Sequence, residues 1–244
     1  MLYQTKGIVL RSVKYGESSL IITLFTQQFG VQGYLVQGIR KYGSKSGKAG
    51  LLQPSILLDL AAFQSPQMSL QRLREFHPTH LYRSIQEDIV KNSVALFSVE
   101  LLLRLLPEQA PLPELFNFCF SYFLQLDFLE AAAVANFPIF FIVKIGNYLG
   151  YSLSGKYTVE TPHLNLEEGG FTAHLPPSHI EVSQADACAL QSILNVDDFS
   201  SLAQIHIGSE VRFRLLDWYI LFLQQHTQHF GAIKSLSVLR AILH

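Results

Sequence analysis

The sequence predicts an α+β chain in two parts: a small closed β-barrel over residues 1–76 and a mostly α-helical domain over residues 77–244. Three observations carry that expectation. Up to about Phe76 the apolar residues come in short, β-branched runs separated by Gly or Ser, and from Pro78 onward they recur at helical spacing. The charge changes sign at the same place. Residues 1–74 hold nine lysines and arginines against Glu17 and Asp59, a formal +7, whereas the rest holds nine against seventeen acids, a formal −8. With 49% hydrophobic and 15% charged residues over 244 positions, the chain can bury a sizeable core and is not disordered.

Five runs read as strands: KGIVLRSV (6–13), SLIITLFT (19–26), GYLVQGI (33–39), LLQPSILLDLAAF (51–63) and MSLQRLREF (68–76). The fifth sets Met68, Leu70, Leu73 and Phe76 against an exposed set of Gln71, Arg72 and Arg74, with a slip near residue 72. Five short strands with one long connection between the third and fourth fit a barrel of the OB type. Helical text follows. IVKNSVALFSVELLLRLL (89–106) stops at Pro107, and Pro111–Pro113 mark a turn before ELFNFCFSYFLQLDFLEAAA (114–133). The apolar stretch 131–150 is interrupted by Asn136, Pro138, Lys144 and Asn147, so it reads as a core helix and not a bilayer span. Residues 151–182, rich in Gly, Pro and polar side chains, read as an irregular or short β insert. Ser183 is an N-cap signal, and SEVRFRLLDWYILFLQQH (209–226) and SLSVLRAIL (235–243) close the chain. The N-terminus offers only the apolar run Ile8–Val9–Leu10 before Arg11, which does not make a signal peptide. Cys119 and Cys188 both sit in apolar helical patterns and read as buried free thiols of a reducing compartment, so a cytoplasmic location is expected.

The loop GIRKYGSKSGKAG (38–50) concentrates positive charge in Arg40, Lys41, Lys45 and Lys48, and no acid lies between Glu17 and Asp59. It is not a phosphate-binding P-loop: only three residues separate Gly43 from Gly47, and Ala49 stands where a magnesium-holding Ser or Thr is needed. Together with Arg11, Lys14, Arg72 and Arg74, these cations suit the tracking of a phosphate backbone. Tyr15 and Tyr42 among them offer rings on which bases stack. Such binding is tolerant of sequence and steeply salt-dependent. Two further readings fit the same residues: an RNA-binding barrel, and a protein-interaction scaffold whose basic loop serves only solubility.

Other residue types point away from catalysis. His163, His174 and His179 in the insert match no zinc spacing, and His226 and His229 suit the end of a helix. No Gly-x-Ser-x-Gly elbow is present, and acid pairs such as Glu87–Asp88 are sequence neighbours that do not face each other on a helix. No catalytic residue, metal ligand or cofactor site is expected. The helical part carries rings on more than one face of 115–129, which suggests an apolar groove for a partner peptide, with Arg104 or Lys144 to meet an acidic tail.

In order along the chain, GIVLR (7–11), YGESS (15–19), TLFT (23–26), Gly30, QGIRK (37–41), LLQP (51–54) and IKSLSVLRAIL (233–243) resemble the bacterial recombination-mediator family RecO. The resemblance implies an N-terminal OB domain and a helical domain. It implies binding of single- and double-stranded DNA and annealing of complementary strands without nucleotide hydrolysis. Its implied partners are RecR, with which the family helps load RecA onto strands coated by the single-stranded-DNA-binding protein SSB, and the acidic C-terminal tail of SSB. Many members also carry a four-cysteine zinc site in the segment matching 150–182. Here that segment has no cysteine, so packing by Tyr157, Leu164, Leu166 and Phe171 is expected to hold it.

Overall fold

The computed structural model describes residues 1–39, 47–65, 67–176, 182–228 and 230–243, with only the backbone at 47, 48, 131 and 132. Two compact units share the chain, Met1–Gln86 with Leu105–Asp127, and Glu87–Arg104 with Phe128–His244.

The first unit is built on five strands: β1 (Leu2–Tyr15), β2 (Ser19–Thr26), β3 (Gly30–Val36), β4 (Leu57–Phe63) and β5 (Leu70–Pro78). They close in the order β1-β2-β3-β5-β4, with β3 and β5 parallel and every other pair antiparallel. Every strand of a closed barrel serves two neighbours, and the 14-residue β1 does so with its two halves, pairing β4 over Leu2–Ile8 and β2 over Gly7–Tyr15. Inward positions alternate as a barrel requires: Leu20, Ile22 and Leu24 on β2, Tyr34 and Val36 on β3, Leu58, Leu60 and Ala62 on β4. The long β3–β4 connection returns through a 3₁₀ helix, Gly47–Leu52, whose Leu52 joins this core.

The slip expected in β5 lies at residues 74–75, where Ala61 faces Glu75 and Ala62 faces Leu73. Arg74 is the extra residue, and both it and Glu75 stay exposed. Gln71, expected outside, is buried. Its side-chain amide donates to the carbonyls of Ser65 (3.0 Å) and Met68 (2.7 Å) and accepts from Ser65 N–H (2.9 Å), so a polar side chain on the inner face ties the β4–β5 turn.

α2 (Pro113–Phe128) belongs to this first unit and follows α1 (Ile89–Leu105) in the chain. Its buried stripe, Leu115, Phe116, Cys119, Tyr122, Phe123 and Leu126, has helical period. Phe116 meets Phe25 of β2 edge-on at 5.4 Å, and the Lys6 ammonium of β1 lies 5.0 Å from the Phe120 ring, which seats the helix on the outer face of the barrel. Gly30 permits the approach: its φ is +67°, and a Cβ there would collide with the backbone of Ala110. The rings of α2 are therefore largely spent on packing within this unit.

At the end of α2, the buried Asp127 carboxylate accepts from the backbone N–H groups of Arg83 (3.0 Å), Ser84 (2.9 Å) and Ile85 (3.2 Å), and His80 Nε2 lies 2.9 Å away. Burial alone would raise its pKa, but these hydrogen bonds outweigh it and hold it at about 2.

In the second unit α3 (Phe137–Tyr148), α4 (Gln184–Leu194) and α6 (Ser209–His226) pack on one another. The short α5 (Phe199–Leu202) contributes Phe199, which stacks on Phe137 and meets Phe140. Pro138 lies in the first turn of α3, where its missing N–H costs nothing; it starts the helix instead of interrupting it. Ser183 caps α4 in a reciprocal box with Asp186, and Arg214 of α6 donates twice to that carboxylate (2.8 and 3.1 Å). α7 (Ser235–Ile242) is capped by Glu100 of α1, which accepts from the backbone N–H of Lys234 and Ser235 and from the Ser235 hydroxyl. No helix is long and apolar enough to cross a membrane among the described residues.

The insert holds a hairpin, β6 (His163–Asn165) and β7 (Gly170–Thr172). Leu164, Leu166 and Phe171 are buried and Tyr157 is partly so, as expected. One expectation about thiols fails. Cys119 is fully buried, but Cys188 lies on the exposed side of α4, because the buried side of that turn is taken by Asp186, Ala187 and Leu190.

Two predictions follow from this packing. The native chain should titrate one thiol, Cys188, with a thiol-specific disulfide reagent, and a second only after unfolding, since burial pushes the Cys119 thiol far above its ordinary pKa. Asp127→Asn should cost about 2–4 kcal/mol in urea unfolding at pH 7. Because the folded pKa lies below the unfolded value of about 3.9, the carboxylate's contribution is complete above about pH 4 and fades as pH falls through 2. The difference between wild type and variant should therefore shrink across that window.

Candidate nucleic-acid interface

The barrel's outer face gathers some of the residues singled out in the sequence, and the bulge in β1 decides which. The register with β2 shifts between Val9, opposite Leu24, and Arg11, opposite Thr23, leaving Leu10 as the extra residue. Ile8, Val9 and Leu10 are all buried, and beyond them Arg11, Val13 and Tyr15 point outward. Val13 lies opposite Ile21, Ile21 opposite Leu35, and Leu35 opposite Arg72, so one row crosses β1, β2, β3 and β5. On the far side Arg72 faces Phe63 of β4, and Phe63 faces Leu2 of β1, which carries the row around the barrel. The neighbouring row runs Arg11, Thr23, Gly33 and Leu70.

The chemistry of this face is mixed in a definite way. Val13, Tyr15 and Phe63 are each about half exposed (43%, 54% and 42%), and Ile21 and Leu35 are partly so. Arg11 of β1 stands on one side of that apolar surface and Arg72 of β5 on the other, with β2 and β3 between them. Arg72 is held by Gln37 through a 3.0 Å hydrogen bond. Its other flank opens. The pairing of β3 with β5 ends at Leu35 and Arg72, and past that point the strands part around a cleft of about 360 Å³. Val36, Gln37, Gly38, Ile39, Arg74 and Phe76 line it together with Arg72. Arg74 is exposed, with Glu75 at 3.5 Å, and an ion pair this accessible to water leaves the guanidinium open to exchange partners.

Of the remaining sequence candidates, Lys14 is exposed but belongs to the opposite alternation phase from Tyr15, beside Leu20 at the end of β1. Arg40, Lys41, Tyr42 and Lys45 lie outside the described residues, as does the side chain of Lys48. The flanks of that segment are placed: Ile39 is in the barrel core and Ala49 packs against it.

The helical unit treats its cations differently. Arg104 lies 3.8 Å from Glu100, Arg214 is paired with Asp186, and Arg240 with Asp217. Arg212 is buried and bonded to Asn136 and to the carbonyl of Ile207. Lys144 is half-buried, with its ammonium 5.4 Å from the Phe140 ring of its own helix. Arg104 and Lys144, the candidates for meeting an acidic tail, thus sit on different helices with partners of their own.

The four thiolates of the zinc site suggested by the resemblance are missing from this sequence. Residues 150–182 contain no cysteine, and no group of three or more metal-donor side chains exists among the described residues. The hairpin is instead clasped by backbone. Ser154 N–H bonds the Gly169 carbonyl (2.8 Å), Phe171 N–H bonds the Ser154 carbonyl (3.0 Å), and a Cβ on Gly170 would overlap Ser154. His226 Nε2 reaches the Leu166 carbonyl at 3.0 Å, and Tyr157 N–H donates to Gln191 at 2.8 Å, so α6 and α4 hold the insert.

Fold and site together define a class of protein: an OB-type barrel with a cationic, partly apolar outer face, joined in sequence to a helical unit. Family models place it further. The model for the N-terminal part of recombination protein O matches residues 1–82, and that for the C-terminal part matches residues 86–237. The chain belongs to the recombination protein O family. It is 29% identical over 243 residues to the DNA repair protein RecO of Christiangramia forsetii. It is 27% identical over 242 residues to the proteins of that name from Flavobacterium johnsoniae and Bacteroides fragilis. In each case 99% of both chains is covered.

Because Arg11 and Arg74 touch solvent and support no core contact, Arg11→Ala and Arg74→Ala should each leave the urea midpoint within about 0.5 kcal/mol of wild type. Circular dichroism across a urea series checks this and qualifies both variants as probes of binding.

Proposed function

We propose that this protein is a DNA repair and recombination mediator that binds single- and double-stranded DNA on its barrel and anneals complementary strands. The observation that carries the reading is the row linking Val13, Ile21, Leu35, Arg72 and Phe63, with Arg11 in the row beside it, which sets two guanidinium groups beside solvent-accessible apolar and aromatic side chains on one face. Guanidinium groups there would hold phosphates, and Tyr15 and the aliphatic row would receive bases without reading their identity. Lys14 and the loop residues Arg40, Lys41, Lys45 and Lys48 are proposed as further phosphate contacts, and Tyr42 as a further ring for bases. Annealing follows from such a surface because neutralising two backbones removes their repulsion while the pairing edges stay free. It needs no bond chemistry, so the protein acts as a binder and not as an enzyme.

In line with family membership, the reading extends to work with RecR in loading RecA onto SSB-coated strands and to contact with the acidic SSB tail. Arg104 and Lys144 of the helical unit are the cations proposed for that tail.

The test is fluorescence anisotropy of a labelled single strand of about 30 nucleotides, measured across a salt series. Arg11→Ala with Arg72→Ala, and separately Lys41→Ala with Lys45→Ala and Lys48→Ala, should weaken binding. Each lost phosphate contact should also make the log–log salt slope shallower by about 0.7. Unchanged affinity and slope in both sets would remove the barrel as the site. A matched RNA strand bound more tightly than DNA would turn the reading toward RNA.

A further inference from the structure

The helical unit contains a second cationic feature, unrelated to the barrel face. A cleft of about 360 Å³ is lined by Ala133, Asn136, Ala203, His206, Gly208 and Arg212, among others. Arg212 is the most buried arginine of this unit, 8% exposed, and has no carboxylate partner among the described residues, whereas Arg104, Arg214 and Arg240 each have one. Its partners are neutral: Nε donates to the Asn136 side-chain oxygen (3.2 Å) and Nη2 to the Ile207 carbonyl (2.9 Å). A guanidinium carries five N–H donors, so three, including both on Nη1, have no partner among the described residues.

The cleft has a second source of positive potential. α6 begins at its rim, and Gly208 in the capping position has no side chain to satisfy the first N–H groups of that 18-residue helix. Glu210, the acid of the first turn, has a side chain 91% exposed and 3.9 Å from Arg214, and it does not line the cleft. A buried cation lacking a counter-charge is costly, and an uncapped helix start beside it adds to the same field.

We infer that this cleft binds a small oxyanion, a phosphate or carboxylate group, between the free N–H groups of Arg212 and the amino end of α6. Asn136 is a positioning residue: its amide donates to the Ile205 carbonyl (2.6 Å) while its oxygen holds Arg212, so one side chain fixes both the guanidinium and the 205–208 wall.

Thermal melts of the full chain test this in potassium phosphate, potassium acetate and potassium chloride at matched ionic strength. In wild type, 50 mM phosphate or acetate should raise Tm by about 2–4 °C over chloride. Gly208→Asp is the decisive variant. Gly208 has a negative φ of −62°, and a Cβ there meets nothing within 4 Å, so the new carboxylate can cap α6 and occupy the anion's place. It should melt higher than wild type in chloride and show no further rise with phosphate or acetate. Arg212→Met should lose the response as well. A wild-type Tm indifferent to both anions overturns the inference, and so does a response that persists undiminished in Gly208→Asp. Phosphate acting without acetate identifies a phosphate site, and both acting identifies a site for either group.

Discussion

The chemistry of the barrel surface depends on one extra residue in β1. A strand alternates sides with a period of two, so a shift of one residue exchanges its two faces. If β1 ran without a bulge past Val9, which points into the core, then Arg11 would point inward and Leu10 outward. The bulge at Leu10 lets three successive apolar residues stay buried and returns Arg11, Val13 and Tyr15 to solvent. β5 repeats the device. Its bulge at Arg74 leaves two consecutive charged residues outside while Leu73 remains in the core and Phe76 packs against it. Two local defects in the ladders thus turn a closed apolar barrel into one that carries guanidinium groups on its outer face. The same bulges supply the bending that a five-stranded barrel needs to close.

The rest of the polar architecture rests on carboxylates used as backbone caps. Asp127, Asp186 and Glu100 each accept two or more hydrogen bonds and close a turn or a helix start. Hydrogen bonding holds all three below the ordinary carboxylate range even though burial pushes the other way. The consequence for charge is asymmetric. In the helical unit, arginines are drawn into these knots: Arg214 to Asp186, Arg104 to Glu100 and Arg240 to Asp217. On the barrel, Arg11 and Arg72 meet no acid among the described residues, and Arg74 pairs with its exposed neighbour Glu75. Among the described residues, the barrel therefore presents exposed arginines without an acid partner or with only an exposed one, although the total number of basic residues is the same in residues 1–74 as in the remainder.

This contrast also marks what could be read from the sequence. Strand positions were legible because β2 and β4 alternate cleanly, and Ser183 was legible because a capping residue and its helix are neighbours. Gln71 and Cys188 were misjudged for one reason: residue type gives a preference for a side, while position on the element decides it. Gln71 is inward by register and satisfies its amide on the turn it closes; Cys188 sits on an apolar-looking helix whose core stripe passes through Ala187 and Leu190. The Leu10 bulge left only a faint trace, three apolar residues in succession where alternation expects two sides. The caps supplied by Asp127 and Glu100 left none, since their partners lie more than forty residues away.

The insert lacks the four cysteines that its family resemblance suggests, and other contacts hold it. A two-stranded hairpin of three-residue strands cannot bury enough surface to stand alone. Four thiolates on a zinc ion would supply the missing cross-links from within. Here they come from outside: His226 and Gln191 reach in from α6 and α4, and Leu164, Leu166 and Phe171 turn their side chains away from water. Gly169 and Gly170 make the docking close, since a Cβ on the first would press on Phe222 and on the second would strike Ser154. Such a clasp is inseparable from the helical core, because Phe222 also stacks on Trp218. The hairpin should therefore unfold together with α4 and α6, with no separate transition of its own.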